Sequence, residues 1–242
     1  MAGKATEEAT LWERLERPAR APRQRLSGRI IAAKAVAIAD EQGLCAVTMR
    51  SLATALEVAP MAAYRFVGGK DDLFALMVNE VYAELALPEG EWRVVLRAFA
   101  ERTRALMHRH RWLAELPPHA AMAPTPNRVL AVDRALAALD GLGLTVDAMA
   151  AAVRAVGAYV HGAAGEEVAL GQVVEQCGLR GRDEVREALA PQMRWLLGTG
   201  RFPVYERYIY EAGCAEDPQE VFEAGLGLVL DGIAARVAAA GA

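Results

Sequence analysis

The stretch TMRSLATALEVAPMAAYRFVGGK, residues 48–70, reads as two short helices folded across a tight turn, with a tyrosine and an arginine left facing outward. Thr48 is a hydroxyl N-cap for a helix that turns Met49, Leu52, Ala53 and Leu56 inward and leaves Arg50 outside. The tripeptide EVA makes the turn, and Pro60 occupies a first helical position, where its missing N–H costs nothing, to open a helix through about Phe66. Before this pair, Ser27 caps a helix over 28–42 whose apolar residues Ile30, Ile31, Ala33, Val36, Ala37 and Ile38 lie mostly on one face, and Gly43 ends it. After it, GGK breaks the pattern. Asp71 and Asp72 then open a fourth helix with Leu73, Phe74, Leu76, Met77, Val81 and Tyr82 as its buried stripe.

Two short helices braced by longer ones have the form of a helix-turn-helix, whose second helix fits the DNA major groove. In that reading Arg65 forks onto a guanine, Tyr64 reaches a phosphate or a thymine methyl, and Met61 and Ala62 offer apolar contact to thymine. Thr48 and Pro60, which set the starts of the two helices, count among the DNA-binding residues in this reading. Arg50 reaches in from the first, and Lys70 holds a phosphate beside the N-terminal amides of the fourth helix. The same spacing also suits an ordinary helical hairpin with Tyr64 at its edge and Arg65 solvated. Charge distribution bears on the choice. The chain carries −4 overall, but residues 1–70 hold 11 Lys and Arg against 7 Asp and Glu, whereas residues 71–242 hold 16 against 24. A basic head sits on an acidic body, although surface charge also varies by chance.

Apolar residues make up 54% of the chain and aromatics only 6%, so the interior is mostly Ala, Leu and Val, which suits closely packed helices. With no convincing alternating strand pattern, the expectation is an all-α protein: an N-terminal helix-turn-helix domain followed by a helical bundle. The expected divisions are a basic, flexible arm over 1–26, the helix-turn-helix domain over 27–84, and a helical domain over 85–242 with helices near 91–110, 125–140, 146–165, 183–197 and 218–239. Pro/Gly-rich breaks separate these helices at 117–126, 141–143, 198–203 and 213–218. Cys45, Cys177 and Cys214 are scattered and odd in number, which suits a reducing cytoplasm and neither a disulfide framework nor a CxxC zinc site. The N-terminus has no apolar signal core, and the long apolar run 148–165 carries Arg154 and His161, which argues against a membrane span.

The run from 28 to 82 resembles the DNA-binding domain of the TetR family of bacterial transcriptional repressors, through ADEQGLCAVTMRSLATALEV and then APMAAYRFVGGKDDLFALM. Tyr64, Val67 and Lys70 fall where the family has its Tyr, its aromatic or Val, and its Lys. Ala63 stands where Leu is usual and Phe66 where His is usual, so base specificity does not carry across. Weaker likeness extends through EWRVVLRAFAERTRALMHRHRWL, AVGAYVHG and AEDPQEVFEAGLGLVLDGIAARV. The resemblance implies a repressor that binds a palindromic operator as a homodimer, pairs through helices near 146–165 and 218–239, and is released by a small molecule held in the body. The second of those helices is apolar at Val221, Phe222, Leu226, Val229, Leu230 and Ile233, with Gly225, Gly227 and Gly232 allowing close approach; a purely intramolecular role fits the same pattern.

Residues on inner faces that would line a ligand cavity are Phe99, Thr103, Met107, Trp112, Met122, Val132, Tyr159, His161, Trp195 and Phe202. Any one such residue is more often plain core than pocket; as a set they imply an apolar or aromatic effector. Tetracycline-binding members hold the drug as a magnesium complex through a His, and Pro117 occupies the matching position here. Glu166 alone is no metal site, so neither a metal nor another cofactor is expected. His108 and His110 diverge on a helix, and GxSxG, HExxH and P-loop patterns are absent, which argues against an enzyme. The competing class is a helical adaptor acting through protein contacts without sequence-specific DNA binding.

Overall fold

The computed structural model describes residues 10–16, 26–211 and 217–241, apart from the side chain of Pro60. All regular structure among them is helical: α1 (Leu11–Glu16), α2 (Gly28–Gln42), α3 (Met49–Ala55), α4 (Pro60–Ala63), α5 (Lys70–Tyr82), α6 (Trp92–Arg109), α7 (Pro118–Met122), α8 (Pro126–Ala137), α9 (Val146–Gln176), α10 (Arg182–Gly198), α11 (Pro203–Glu211) and α12 (Pro218–Ala240), with 3-10 turns at Leu44–Ala46 and Arg111–Glu115. The chain divides into two compact units, one of Met1–Ala86 with Arg109–Asp133, the other of Leu87–His108 with Arg134–Ala242.

In the first unit α2 runs along α5, with Ile31, Ala35 and Ile38 on one side and Leu73, Met77 and Val81 on the other all buried. The Ser27 hydroxyl accepts the Ile30 N–H at 3.2 Å to start α2, and the Gly43 N–H closes it on the Ala39 carbonyl. The segment 109–133 packs in this unit. Asp40, in the last turn of α2, explains why: it accepts the Trp112 indole N–H at 2.8 Å and contacts His110 Nδ1 at 2.9 Å. Trp112 is 2% exposed, and Asn127 bonds Asn79 of α5 through both its backbone N–H and its side-chain amide.

Within the stretch expected as a basic, flexible arm, Leu11–Glu16 is helical. Leu11 is buried, and Leu15 lies against the start of α2, where a Cβ on Gly28 would come within 3.1 Å of it. The arm's remaining residues, 1–9 and 17–25, lie outside the described set, as does Cys214.

In the second unit α9 packs on α12 through Val153, Val156, Val160 and Ala164 on one side and Phe222, Leu226, Leu230 and Ile233 on the other. Each fully buried Val, Leu, Ile or Phe side chain contributes about 1.5–3 kcal/mol. Gly225 has a specific task in the seam: a Cβ there would sit 2.7 Å from carbons of the Tyr159 ring. The Tyr159 hydroxyl donates to the Phe222 carbonyl at 2.8 Å, and the two rings stack with centroids 5.6 Å apart. In contrast, α11 buries none of its side chains.

Candidate nucleic-acid interface and ligand region

The helix-turn-helix is held by its caps. Thr48 Oγ1 accepts the Ser51 N–H at 3.0 Å and Ser51 Oγ accepts the Thr48 N–H at 2.9 Å, a reciprocal box built with Ser in place of Glu. α3 ends in a Schellman motif: Val58 N–H donates to the Ala53 carbonyl and Glu57 N–H to the Thr54 carbonyl. The left-handed position falls on Glu57, at φ +55°, where glycine is usual. This turn swings the chain into α4, which Pro60 opens at N1.

α4 is seated by Ala63 and Val67, both fully buried. The Ala63 position, where the sequence departs from the family's usual Leu, thus brings the α4 backbone close to the core. Met61 (73% exposed) and Tyr64 (46% exposed) project outward, as does Arg65, while Ala62 is half-buried. Arg50 and Arg65 are exposed and have no side-chain hydrogen bond or ion pair with any described residue, so two guanidinium groups stand uncommitted on one small motif. Thr48 is exposed but its hydroxyl is engaged in the cap. Lys70 is exposed, with Nζ 5.2 Å above the Phe74 ring. The side chain of Pro60 lies outside the described set.

The ten residues read as ligand-facing divide between the units. Phe99, Thr103 and Met107 are buried at successive turns of α6, and Tyr159 is half-buried on α9. The Thr103 hydroxyl, 1% exposed, lacks a hydrogen-bond partner among the described residues. His161 is exposed and turns Nδ1 to the Gly157 carbonyl at 2.7 Å, and Trp195 and Phe202 are 70% and 39% exposed. Trp112, Met122 and Val132 belong to the first unit. Trp112 is buried and its indole N–H donates to Asp40. Met122, 79% exposed, lines no interior.

Sequence reasoning missed a charged network in the second unit. Arg104 makes a two-pronged bond to Glu167, Nε to Oε2 and Nη2 to Oε1, each 2.9 Å, with both side chains 14% exposed. Its guanidinium lies 4.5 Å above the Phe222 ring and also donates to Gln219. His108 Nε2 lies 2.5 Å from Glu167, and Arg97 bonds Glu223 and Glu101. Arg104 and His108 are four apart on α6, a legible signal that they share a face; Glu167, distant in sequence, gave none. Together Glu101, Arg104, His108, Gln219, Phe222 and Glu223 border a hollow of about 550 Å³. No group of three or more His, Cys, Asp or Glu suited to a metal occurs among the described residues.

Burial, and secondarily Glu167, pushes the Tyr159 hydroxyl above its ordinary value of 10.0, and burial does the same for Tyr82 against the opposing pull of Arg128. A raised pKa means that the fold favours the neutral phenol. The stability so gained is complete below pH 10 and declines as pH rises through the folded-state value. An alkaline titration followed by phenolate absorbance should show two of the six tyrosines ionising late, and Tyr159→Phe should remove one of them.

Residues 86–237 match the family model for the tetracyclin repressor-like C-terminal domain. The HTH-type transcriptional repressor DrrR1 of Streptomyces coeruleorubidus is 32% identical over 236 residues, covering 94% of this chain and 84% of its own. Among solved structures, ActR of Streptomyces coelicolor in complex with actinorhodin is 25% identical with a TM-score of 0.71, covering 88% of this chain and 97% of its own. BioQ with its double-stranded DNA operator shares the fold at 22% identity and a TM-score of 0.59, covering 87% of this chain and 99% of its own. The chain belongs to the TetR family of HTH-type transcriptional regulators. Among the described residues no helix is long and apolar enough to cross a membrane.

Proposed function

We propose that this protein is a cytoplasmic repressor that binds a palindromic DNA operator as a homodimer and lets go when a small, largely apolar or aromatic molecule occupies its helical body. The observation that carries the reading is the outward face of α4. Met61, Tyr64 and Arg65 project from a helix seated by Ala63 and Val67, with Arg50 and Arg65 uncommitted. DNA supplies the hydrogen-bond acceptors that these arginines lack among the described residues. The operator complex of BioQ and the repressor name of DrrR1 support the same reading.

The effector site is drawn around Phe99, Thr103, Met107 and Tyr159, supported by the actinorhodin and (S)-DNPA complexes of ActR. Thr103, buried without a partner, favours a ligand with one polar group set in an apolar frame. Self-association is drawn through α9 and α12. On α12 Leu228 is 77% and Val221 47% exposed, and Gly227 and Gly232 face open space, so a second helix can approach closely. Two α4 helices about 34–36 Å apart would then enter successive major grooves, and ligand would favour a spacing that fits less well, a linkage of about 1–3 kcal/mol. The protein acts in this reading by binding alone, without catalysis.

Selection of bound sequences from random duplex DNA tests the reading: an enriched palindrome with steep salt dependence is the expected result, and no enrichment refutes it. On the selected operator, Arg65→Ala should cost about 1–3 kcal/mol and relax preference at one base pair. Lys70→Ala should weaken operator and random DNA alike and lower the salt slope by about 0.9. Equal losses on both DNAs for the two variants would refute this division of roles.

A further inference from the structure

Immediately after α4 the chain passes through Gly68 and Gly69, two residues with little conformational preference of their own, before Lys70 begins α5. α5 has no side-chain N-cap at Gly69. The turn before it is tied to Asp72, in the first turn of α5, whose Oδ2 accepts the Gly68 N–H at 2.8 Å. That same oxygen receives a second donor from outside the motif: Arg14 Nη2 of α1, also at 2.8 Å. Arg14 is brought there by the docking of α1, through buried Leu11 and through Leu15 against the bare Cα of Gly28.

We infer that α1 acts as a clasp for the DNA-reading motif, with Arg14 and Asp72 as positioning residues that set the Gly68–Gly69 turn and hence the placement of α4 and Lys70 on DNA. The inference rests on the DNA-binding reading of α4. An unpaired Asp72 carboxylate in the first turn of α5 would add negative charge at the end of the helix that is to meet phosphate. Paired with Arg14, it is neutralised and kept on Gly68. Half-exposed as it is, such an ion pair adds little to overall stability. Its effect falls on preorganisation, since a turn already set in its bound form loses less freedom on binding.

Three single variants and one double test the clasp on the operator selected with the wild type: Arg14→Met, Asp72→Ala, Gly28→Leu and Arg14→Met with Asp72→Ala. Gly28→Leu evicts Leu15 without changing any charge. Each single variant should weaken operator binding about three- to tenfold, in the lower part of the range of coupled neighbouring side chains, and the double should be no weaker than Asp72→Ala alone. The salt slope should stay unchanged in all of them, and the Gly68 amide should exchange its hydrogen faster. Asp72→Ala is the decisive case, because deleting a negative charge beside a phosphate would by charge alone tighten binding. Binding as tight or tighter in Asp72→Ala overturns the clasp. So does a slope lowered by about 0.9 in Arg14→Met with additive losses, which would make Arg14 a direct phosphate contact. A wild type that selects no operator overturns the DNA-binding reading and the clasp with it, whereas a selective wild type with unaffected variants overturns the clasp alone.

Discussion

Trp112→Ala is expected to lower the unfolding free energy by about 3–5 kcal/mol, more than any substitution on the DNA-facing surface. The indole is 2% exposed and is packed against the end of α2, so truncation leaves a large void. It also strips Asp40 of the donor at 2.8 Å, leaving that carboxylate with His110 alone. Urea unfolding followed by far-ultraviolet circular dichroism measures the loss. Trp112→Phe separates its two parts: it keeps most of the volume and removes the N–H, and it should retain more than half of the lost stability. A loss below about 1 kcal/mol for Trp112→Ala would mean that the side chain is not sealed in the core.

The second large effect is expected at Arg104. Arg104→Ala leaves the Glu167 carboxylate, 14% exposed, with only His108 as a partner and removes the cation above Phe222. Breaking a buried pair from one side costs about 3–5 kcal/mol, and the remaining His108 contact places this case near the lower end. Replacing both partners, Arg104→Met with Glu167→Leu, should recover most of the loss, because two apolar side chains of similar size carry no unpaired charge. Unfolding midpoints of the two variants decide the matter. A double variant no better than Arg104→Ala would show that the geometry of the pair, and not merely its charge balance, holds α6 to α9.

Much of the first unit was legible because its signals are local. Ser27 and Gly43 bracket α2 at the residues observed, 28–42, and Thr48 and Pro60 begin α3 and α4 as their chemistry dictates. Proline was misjudged elsewhere. The stretches containing Pro118 and Pro203 read as breaks between helices, yet each of those residues begins one, as Pro126 and Pro218 also do. α9 was expected to stop near Gly165 and runs to Gln176. A glycine within a helix costs only about 1 kcal/mol, and burial of Ala164 and Val168 offsets that; the true stop is the left-handed Gly178. The α1 clasp, the Asp40 knot and the Arg104 network stayed hidden for one reason. Each joins residues far apart in sequence whose meeting depends on how finished helices pack. Trp112 shows the same limit, since its apolar character marks it as an inward residue without saying that Asp40 receives its indole N–H.

The Tyr159–Gly225 contact has a consequence for how this chain can change over time. The ring occupies the volume where any other residue at 225 would place its first carbon, so the two positions share one space. An alanine at 225 becomes acceptable only after the ring at 159 has shrunk, and a shrunken 159 leaves a hole until 225 grows. Drift at this seam therefore has to pass through a less stable intermediate, and sister lineages should carry either the large–bare pair or a small–filled one, with few mixtures between them.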